Sequence, residues 1–321
     1  MLLTEFLEEW SNSSETVLVH TSGSTGKPKP LLVEKRRMEA SARITCSFLG
    51  LKEGDTALLC MPLDFIAGKM MVVRALTCGL RLIAVEPKGC PEWDGPIDFA
   101  AMVPLQVWNL LQQAPERLRQ IRHLIIGGGS INNELAEALK DMPNAIWSTY
   151  GMTETLSHIA LRRLNGPERN LWYTPFDGVN VSLNPEGCLV INAPAVHDGP
   201  LVTNDIAELS GLNFRILGRK DNVVCSGGIK IQIEEVERLL HPHLRQPFLI
   251  SKAPDMKLGE QVVLLTTSLD VDAVRVVCQK VLPRYWQPRQ YLHIETIPLT
   301  ATGKPARAEA EILCRSILAI H

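Results

Sequence analysis

The sequence lacks the features that mark membrane, nucleic-acid-binding and repetitive proteins. No run of about 18 uninterrupted apolar residues occurs, so no membrane-spanning helix is predicted. Basic runs and basic amphipathic helices are absent. The formal net charge of −2 and the pI near 6.5 argue against a nucleic-acid partner or insertion into a membrane. Because repeats and low-complexity tracts are also missing, we expect an ordinary globular protein.

Paired cysteines are missing as well. The eight cysteines lie far apart, with no C-x-x-C pair and no histidine at the spacing of a metal site. This pattern predicts scattered free thiols in a reducing compartment. The acidic N-terminus also lacks the basic segment and apolar core of a signal peptide, so we expect a cytoplasmic protein.

Strand-like and helix-like segments alternate over the first 150 residues. Predicted strands are Thr16–His20, Thr56–Met61, Arg81–Val85, Phe99–Val103, His123–Ile126 and Ala145–Ser148. Predicted helices are a stripe of Met38, Ala42, Cys46 and Leu49, then Met70–Leu76, Leu105–Leu111 and Leu135–Leu139. This alternation predicts an α/β fold with a mainly parallel sheet flanked by helices.

The pattern changes after Arg163, where strands and helices become mixed. Asn184-Pro185-Glu186-Gly187 predicts a hairpin turn, because Pro and Gly stand where a turn requires them. Helices are predicted over Glu234–Leu240 and Val271–Val281 and after Lys304. For a chain of 321 residues we predict two domains: an N-terminal domain at 1–218 and a small, mobile α+β domain at 219–321, with a hinge near 219–221.

A segment rich in glycine, hydroxyl groups and lysine follows the first predicted strand. In Thr21-Ser22-Gly23-Ser24-Thr25-Gly26-Lys27, glycines let backbone N–H groups approach phosphate oxygens, while hydroxyls and lysine supply further donors and positive charge. The glycine spacing differs from a Walker A loop, and Pro28 follows the lysine. A flexible Ser/Gly loop is the structural alternative to this predicted phosphate loop.

This segment resembles the phosphate loop of the acyl-adenylate-forming superfamily, which includes acyl- and aryl-CoA ligases, luciferases and adenylation domains. Further motifs follow in the family order, so the resemblance covers essentially residues 17–310. Tyr150-Gly151-Met152-Thr153-Glu154-Thr155 is similar to the central family motif. The resemblance implies that Tyr150 packs on adenine, Thr153 meets the α-phosphate and Glu154 helps to hold Mg²⁺, with ATP and coenzyme A as co-substrates.

The remaining motifs carry other parts of the implied site. Gly128, within Gly127-Gly128-Gly129, resembles a glycine segment beside adenine. Asp205 in Thr203-Asn204-Asp205 resembles a ribose-binding aspartate, although Asn204 replaces the usual glycine. The resemblance also assigns Arg219 to the ribose or phosphate and Asp221 to the hinge pivot.

Two motifs nearer the C-terminus complete the resemblance. Gly228 and Lys230, in Ser226-Gly227-Gly228-Ile229-Lys230, are similar to the segment that lines the coenzyme A channel. Pro298-Leu299-Thr300-Ala301-Thr302-Gly303-Lys304 is similar to the loop that carries the catalytic lysine, Lys304.

Within the superfamily, the stretches Met102–Trp108, Tyr150–Glu154 and Asn222–Gly228 resemble the o-succinylbenzoate–CoA ligases of menaquinone biosynthesis. That substrate has an aromatic ring and a second carboxylate, so its pocket should combine a cation or hydroxyl with apolar walls. Candidate pocket residues are Phe65, Lys69, Arg74, Ser157 and His158. A structural role is the alternative: Arg74 as a snorkelling side chain and His158 as a satisfied core residue.

The chain departs from the family pattern at two places. Phe65 stands where a histidine that gates the acyl pocket is usual. Twenty residues precede Thr21, whereas most family members have a much longer segment there. We therefore expect either that this layer is missing or that a homo-oligomer or partner subunit covers the exposed surface.

Three functions fit these motifs. The first is ATP-dependent activation of a small carboxylic acid as acyl-AMP, followed by transfer to coenzyme A. A second is another acyl-CoA ligase, or an adenylation enzyme that loads a carrier protein. A third, of a different class, is a non-catalytic nucleotide-binding protein, which the departures favour and the retained Glu154, Asp205 and Lys304 oppose.

Overall fold

The structure, a computed structural model, describes residues 1–20, 30–129, 131, 133–300 and 305–319. The predicted phosphate loop, Thr21 to Lys27, and the predicted catalytic Lys304 lie outside the described residues. Within the described ranges, no helix is long and apolar enough to cross a membrane.

The described residues form two compact units. The first comprises Met1–Ser182, Val190–Val202 and Leu209–Arg215, and the second comprises Leu183–Leu189, Thr203–Glu208 and Ile216–His321. The predicted boundary at residue 218 and the predicted hinge remain predictions.

The helices in chain order are α1 (Leu3–Ser11), α2 (Lys35–Leu49), α3 (Ile66–Cys78), α4 (Pro104–Gln113), α5 (Pro115–Arg119), α6 (Asn133–Leu139), α7 (Ile233–Leu240), α8 (Val271–Val281) and α9 (Arg307–Ala319). The strands are β1 (Thr16–His20), β2 (Pro30–Glu34), β3 (Thr56–Leu59), β4 (Arg81–Ala84), β5 (Ile97–Met102), β6 (Ile121–Ile126), β7 (Ala145–Gly151), β8 (His158–Arg163), β9 (Thr174–Pro175), β10 (Asn180–Leu183), β11 (Cys188–Asn192), β12 (Leu201–Ser210), β13 (Asn213–Arg219), β14 (Val223–Ser226), β15 (Ile229–Gln232), β16 (Phe248–Asp255), β17 (Gly259–Thr266) and β18 (Gln290–His293).

The main sheet of the first unit has the order β4-β3-β5-β6-β7-β8-β9. Strands β4, β3, β5, β6 and β7 are parallel, and β8 and β9 continue the sheet antiparallel. Every residue of β3 is buried, as expected for a parallel strand covered on both faces. The predicted α/β class with a mainly parallel sheet flanked by helices is therefore confirmed.

Helices α2 and α3 belong to this first unit. The predicted stripe of Met38, Ala42, Cys46 and Leu49 is buried along α2, which ends at Gly50 in the left-handed conformation. In α3 the residues from Gly68 to Ala75 are all buried. A side chain at Gly68 would lie 2.3 Å from the Pro62 carbonyl oxygen, so a glycine is needed for this close approach.

Helix α1 was not predicted from the sequence, and it bears on the expected gap at the front of the chain. Phe6 is fully buried, its ring lies 6.1 Å from that of Trp10, and Glu9 forms an ion pair of 3.2 Å with Lys69 of α3. The antiparallel ribbon of β1 and β2 buries Val17, Val19 and Val33. Thus α1 and one face of the ribbon cover part of the surface on this side of the unit.

In the second unit, β15, β14, β17 and β16 form an antiparallel sheet, and β18 adds to β17 in parallel. One apolar cluster joins α7 and α8 to this sheet through Val236, Leu264 and Cys278. A second cluster joins α9 through Ala310 and Cys314. The predicted α+β character of this region is confirmed.

A separate sheet has the order β10-β11-β12-β13. The predicted turn at Asn184–Gly187 connects β10 and β11: the Gly187 N–H donates to the Asn184 carbonyl, and the Asn184 N–H donates to the Cys188 carbonyl, both at 3.0 Å. Gly187 has a φ of 80°, which explains the glycine at this turn position.

Candidate active site

The carboxyl ends of the parallel strands place the two central motifs at one edge of the main sheet. Gly127-Gly128-Gly129 follows β6, and the motif from Tyr150 to Thr155 begins in β7, the adjacent strand. A side chain at Gly127 would lie 2.5 Å from the Thr149 hydroxyl, while Gly128 has a φ of 75°. Ligands of open α/β sheets bind at this edge, so the two motifs mark the candidate site.

After β7 the chain makes a tight turn from Thr153 to Ser157. The Thr155 Oγ1 lies 3.0 Å from the Met152 carbonyl oxygen and 2.7 Å from the Ser157 carbonyl oxygen, within hydrogen-bond distance of both. Leu156 has a φ of 64°, the positive-φ conformation that non-glycine residues rarely adopt. Such strain persists where surrounding contacts enforce it, often at functional sites.

The Glu154 carboxylate is exposed and has no ion-pair partner among the described residues, whereas Thr153 beside it is buried. Within the same described ranges, no cluster of three or more histidine, cysteine or acidic side chains could hold a metal ion. One free carboxylate suits Mg²⁺ that is coordinated largely by substrate phosphates and water. The residues present therefore fit the predicted magnesium site.

Tyr150 lies in an aromatic cluster. Its ring centroid is 5.0 Å from Phe214 in an edge-on arrangement and 5.8 Å from Tyr173, and the last two rings stack at 5.4 Å. The Tyr173 hydroxyl lies 2.8 Å from the Ser148 Oγ. Phe214 and Tyr173 were not predicted from the sequence, because each lies far from the motif along the chain.

Three of the predicted acyl-pocket residues come together. The Arg74 Nη2 donates to the Ser157 Oγ at 2.7 Å, and the Ser157 Oγ lies 3.1 Å from the His158 Nδ1. On its other side, the His158 Nε2 lies 3.2 Å from the Thr45 Oγ1 of α2. This cluster, the Arg74 network, adjoins the central motif, since Ser157 ends the turn that begins at Thr153.

Arg74 is an isolated buried cation. Its side chain is 1% exposed, its Nε has no hydrogen-bond partner, and no carboxylate pairs with it among the described residues. Burial lowers the pKa of Arg74 to about 10, although the neighbouring Cys46 and Cys78 thiols oppose that shift. Burial and the Arg74 charge also lower the pKa of His158 well below its usual range, so the imidazole is neutral.

Lys69 and Phe65 take no part in the Arg74 network. Lys69 is 3% exposed; besides its ion pair with Glu9, its Nζ donates to the Leu18 carbonyl oxygen at 2.8 Å. Phe65 precedes α3 and is exposed. The cavity beside His158, about 20 Å³ in volume, has room for about one water molecule.

In the second unit, the predicted ribose and hinge residues are neighbours. The Arg219 guanidinium pairs with Asp205 at 3.2 Å and with Asp221 at 3.4 Å. The Asn204 side chain also donates to Asp221, at 3.2 Å. The Thr203 hydroxyl donates to the Leu189 carbonyl and accepts the Asp205 N–H, which fixes the turn that carries Asp205.

Gly227 and Gly228 form the two-residue turn between β14 and β15, where Ser226 pairs with Ile229. Their φ values of 57° and 83° fit a tight hairpin turn that requires glycine-like residues. Lys230 is exposed on the following strand. The predicted channel residues therefore stand on the surface of the second unit.

Thr45 is the member of the Arg74 network that the sequence did not reveal. A threonine in a helix interior looks unremarkable, and its hydroxyl commonly bonds the carbonyl four residues earlier, as Thr45 does with Ser41 at 3.1 Å. The contact with His158 joins residues 113 positions apart, so no local sequence pattern predicts it.

Comparisons with known proteins give consistent matches. A 2-succinylbenzoate–CoA ligase of Bacillus mycoides is 26% identical over 345 residues, covering 94% of this chain and 71% of the relative. A solved structure of O-succinylbenzoate coenzyme A synthetase from Bacillus subtilis, with ATP and magnesium ion, has a TM-score of 0.76 at 21% identity, covering 91% of this chain and 69% of that one. This second match shows the shared fold.

Two further matches establish the family. The structure of an acyl-CoA synthetase (AMP-forming)/AMP-acid ligase II-like protein from Dyadobacter fermentans is 31% identical, with a TM-score of 0.66, covering 95% of this chain and 92% of that one. The family model described as AMP-binding enzyme matches residues 5–187. The resemblance predicted from the motifs is thus confirmed, and the chain belongs to the family of AMP-binding enzymes.

Proposed function

We propose that the protein is an AMP-forming acid–CoA ligase whose acid is o-succinylbenzoate. Membership of the AMP-binding enzymes supports acid activation with ATP. The names of the Bacillus relatives support the choice of acid. The observation that carries the proposal is the Arg74 network, a buried cation beside the central motif.

A buried guanidinium without a carboxylate partner is costly, because burial removes its hydration and the Phe99 ring, 5.8 Å away, compensates the charge only in part. Arg74 retains an unpaired Nε–H and bonds a hydroxyl and the Met71 sulfur rather than an anion. A substrate carboxylate supplies the missing partner. An acid with a second carboxylate meets this requirement, since its first carboxylate is consumed in the reaction.

In the first half-reaction, an oxygen of the acid's carboxylate forms a bond to the α-phosphorus of ATP. The bond from that phosphorus to the bridging oxygen breaks, and pyrophosphate leaves with its electron pair. Two anions meet in this step, so fixed cations and N–H donors are the main source of transition-state stabilisation.

We assign the roles in this step residue by residue. Thr153 contacts the α-phosphate, and Tyr150 packs on adenine beside Gly128 and Gly151. Glu154 holds Mg²⁺, which when bound neutralises phosphate charge. The loop from Thr21 to Lys27 binds the phosphates, and Lys304 supplies a cation at the developing charge.

In the second half-reaction, the sulfur of coenzyme A attacks the acyl carbon of the adenylate. The carbon–oxygen bond to phosphate breaks, AMP leaves, and the thiol proton passes to solvent. Gly228 and Lys230 bind the coenzyme A arm, and Asp205 with Arg219 holds the ribose. Asp221 is proposed as the pivot between the two half-reactions.

The test is a panel of acids incubated with protein, ATP and Mg²⁺, with and without coenzyme A. We expect pyrophosphate release with o-succinylbenzoate in both arms, and AMP and thioester when coenzyme A is present. Benzoate serves as a reference aromatic acid that has one carboxylate. Equal activity with benzoate or a medium-chain fatty acid would reject o-succinylbenzoate, and activity that requires a carrier protein would reject the ligase.

A further inference from the structure

The Arg74 network has a fixed direction of hydrogen bonding. The Thr45 hydroxyl carries one hydrogen and lies 3.1 Å from the Ser41 carbonyl oxygen and 3.2 Å from the His158 Nε2. Because the carbonyl accepts that hydrogen, the Thr45 oxygen accepts from His158, whose proton then sits on Nε2. The His158 Nδ1 is therefore unprotonated, and its lone pair accepts a hydrogen bond from the Ser157 hydroxyl.

The opposite arrangement leaves a hydrogen without an acceptor. With the proton on Nδ1, the Ser157 oxygen would accept from both His158 and Arg74, which lies 2.7 Å away. The Ser157 hydroxyl hydrogen would then have no acceptor within the described part of the chain. Ser157 is half-buried and engaged by both Arg74 and His158, so a hydroxyl hydrogen without a protein acceptor is unfavourable there and the Nε2–H form of His158 is the more stable one.

We propose that Thr45 is a positioning residue for the acid substrate: through His158 and Ser157 it holds the Arg74 guanidinium in place for a substrate carboxylate. The hydrogen bonds run in one direction, from Arg74 to Ser157, from Ser157 to His158, from His158 to Thr45 and from Thr45 to the Ser41 carbonyl. This inference rests on the proposed function, because it names how the acid site of that function is held.

A consequence concerns Ser157. Its hydroxyl hydrogen is committed to His158 and is not available to a ligand, although Ser157 adjoins the central motif. Discrimination in favour of a second carboxylate therefore comes from the Arg74 N–H groups. Thr45 lies on α2 and contacts Ser41 and His158. It therefore influences that discrimination indirectly, through His158 and Ser157.

The first test needs no substrate. Nitrogen-15 and carbon-13 spectra of histidine-labelled protein report which ring nitrogen carries the proton, and the His158 signals are assigned by their loss in His158→Asn. We expect the Nε2–H form in the wild type and in Thr45→Ser, and a shift toward Nδ1–H in Thr45→Val, which has no acceptor. An Nδ1–H form in the wild type overturns the inference.

The second test compares o-succinylbenzoate with benzoate in steady-state adenylation. In Thr45→Val we expect KM for o-succinylbenzoate to rise roughly tenfold, the effect of weakening one hydrogen bond to a charged group, with a smaller change in kcat. Thr45→Ser restores the wild-type preference between the acids. Ser47→Ala, an exposed change on the same helix, is the matched control and leaves the preference unchanged.

The outcomes separate this inference from the proposed function. If the wild type activates neither acid, the proposed function fails, while the spectra still decide the direction of the hydrogen bonds. If the wild type prefers o-succinylbenzoate and Thr45→Val keeps that preference in full, the positioning role of Thr45 is wrong. If Thr45→Val does not fold, the wild-type and Thr45→Ser spectra remain decisive.

Discussion

One arginine in each unit is withdrawn from solvent, Arg74 fully and Arg307 in part, and the two have opposite surroundings. Arg74 in the first unit has no carboxylate partner among the described residues, and burial lowers its pKa to about 10. Arg307 in the second unit pairs with Glu237 at 2.8 Å and also donates to the Ile250 carbonyl oxygen. Burial alone would lower the pKa of Arg307. The charge of Glu237 and its hydrogen bonds to Arg307, together with the charge of Glu234, outweigh burial and raise that pKa.

The difference separates a structural cation from one that is free for a ligand. Glu237 also accepts the Ile250 N–H at 2.9 Å, so α7, β16 and the start of α9 meet in one satisfied ion pair. Arg74 has no carboxylate partner among the described residues, so the burial of its charge destabilises the folded state. An uncompensated charge next to a sequence motif is a stronger indication of function than burial or charge alone.

The largest expected effect is on the paired arginine. Arg307→Met leaves the half-buried Glu237 carboxylate without its cation, and we expect the free energy of unfolding to fall by about 3 kcal/mol. Urea denaturation measures this change. The control is Arg315→Met on the same helix, whose pair with Glu311 is exposed and contributes little. A loss no larger than that of the control would contradict the structural role of Arg307.

The unpaired arginine should behave in the opposite way. In Arg74→Met we expect an unfolding free energy that is unchanged or about 1 kcal/mol higher, because an uncompensated charge is removed. The KM for o-succinylbenzoate should rise about a hundredfold, since the buried anion loses its partner. Parallel denaturation and kinetics, with benzoate as the reference acid, check both parts. A strong loss of stability with unchanged acid preference would make Arg74 structural.

Arg219 provides an intermediate case, since it is paired with Asp205 and Asp221 yet its side chain is 38% exposed. Exposed pairs contribute little to stability, so Arg219→Met should change the unfolding free energy by less than about 0.5 kcal/mol. If Arg219 binds the nucleotide, KM for ATP rises roughly tenfold. Arg238→Met, which removes an exposed pair with Glu235, should leave KM unchanged.

The smallest effect is a pH dependence. Because the folded-state pKa of Arg74 is lowered to about 10, the cost of its charge is fully present at neutral pH and is relieved as pH rises through that value. The unfolding free energy of the wild type relative to Arg74→Met should therefore increase by about 1 kcal/mol between about pH 9 and about pH 11. A constant difference would contradict the lowered pKa.

Local patterns in the sequence predicted much of the fold. The α2 stripe, the hairpin at Asn184–Gly187 and the bounds of α8 agree with the structure. Helix α1 is not predicted from the sequence. Phe6 and Trp10 stand four residues apart, as they would on one helix face, but the acidic residues around them obscure that pattern. Strand β2 was missed because it begins at Pro30, which demotes a strand prediction.

The sequence identifies the residues of the candidate site that belong to recognisable motifs. It does not predict the contacts between segments that are distant along the chain. Arg74, Ser157 and His158 were candidates from sequence, but their mutual contact depends on how α3 packs near the start of β8. The same holds for Lys69, whose partner Glu9 lies 60 residues away in α1. Long-range partners such as Thr45 and Phe214 follow from packing, which local periodicity does not encode.

The turn after β7 restricts how the acid preference of this protein could be redesigned. A side chain at Gly151 would lie 2.3 Å from the Ser157 carbonyl oxygen, so a combinatorial library should hold position 151 constant. Position 156, with its φ of 64°, tolerates glycine better than a β-branched residue. The side chains at positions 45, 157 and 158 belong to one chain of hydrogen bonds, so the effects of substituting them are non-additive. Variants with a new acid preference will therefore be found by changing these positions together.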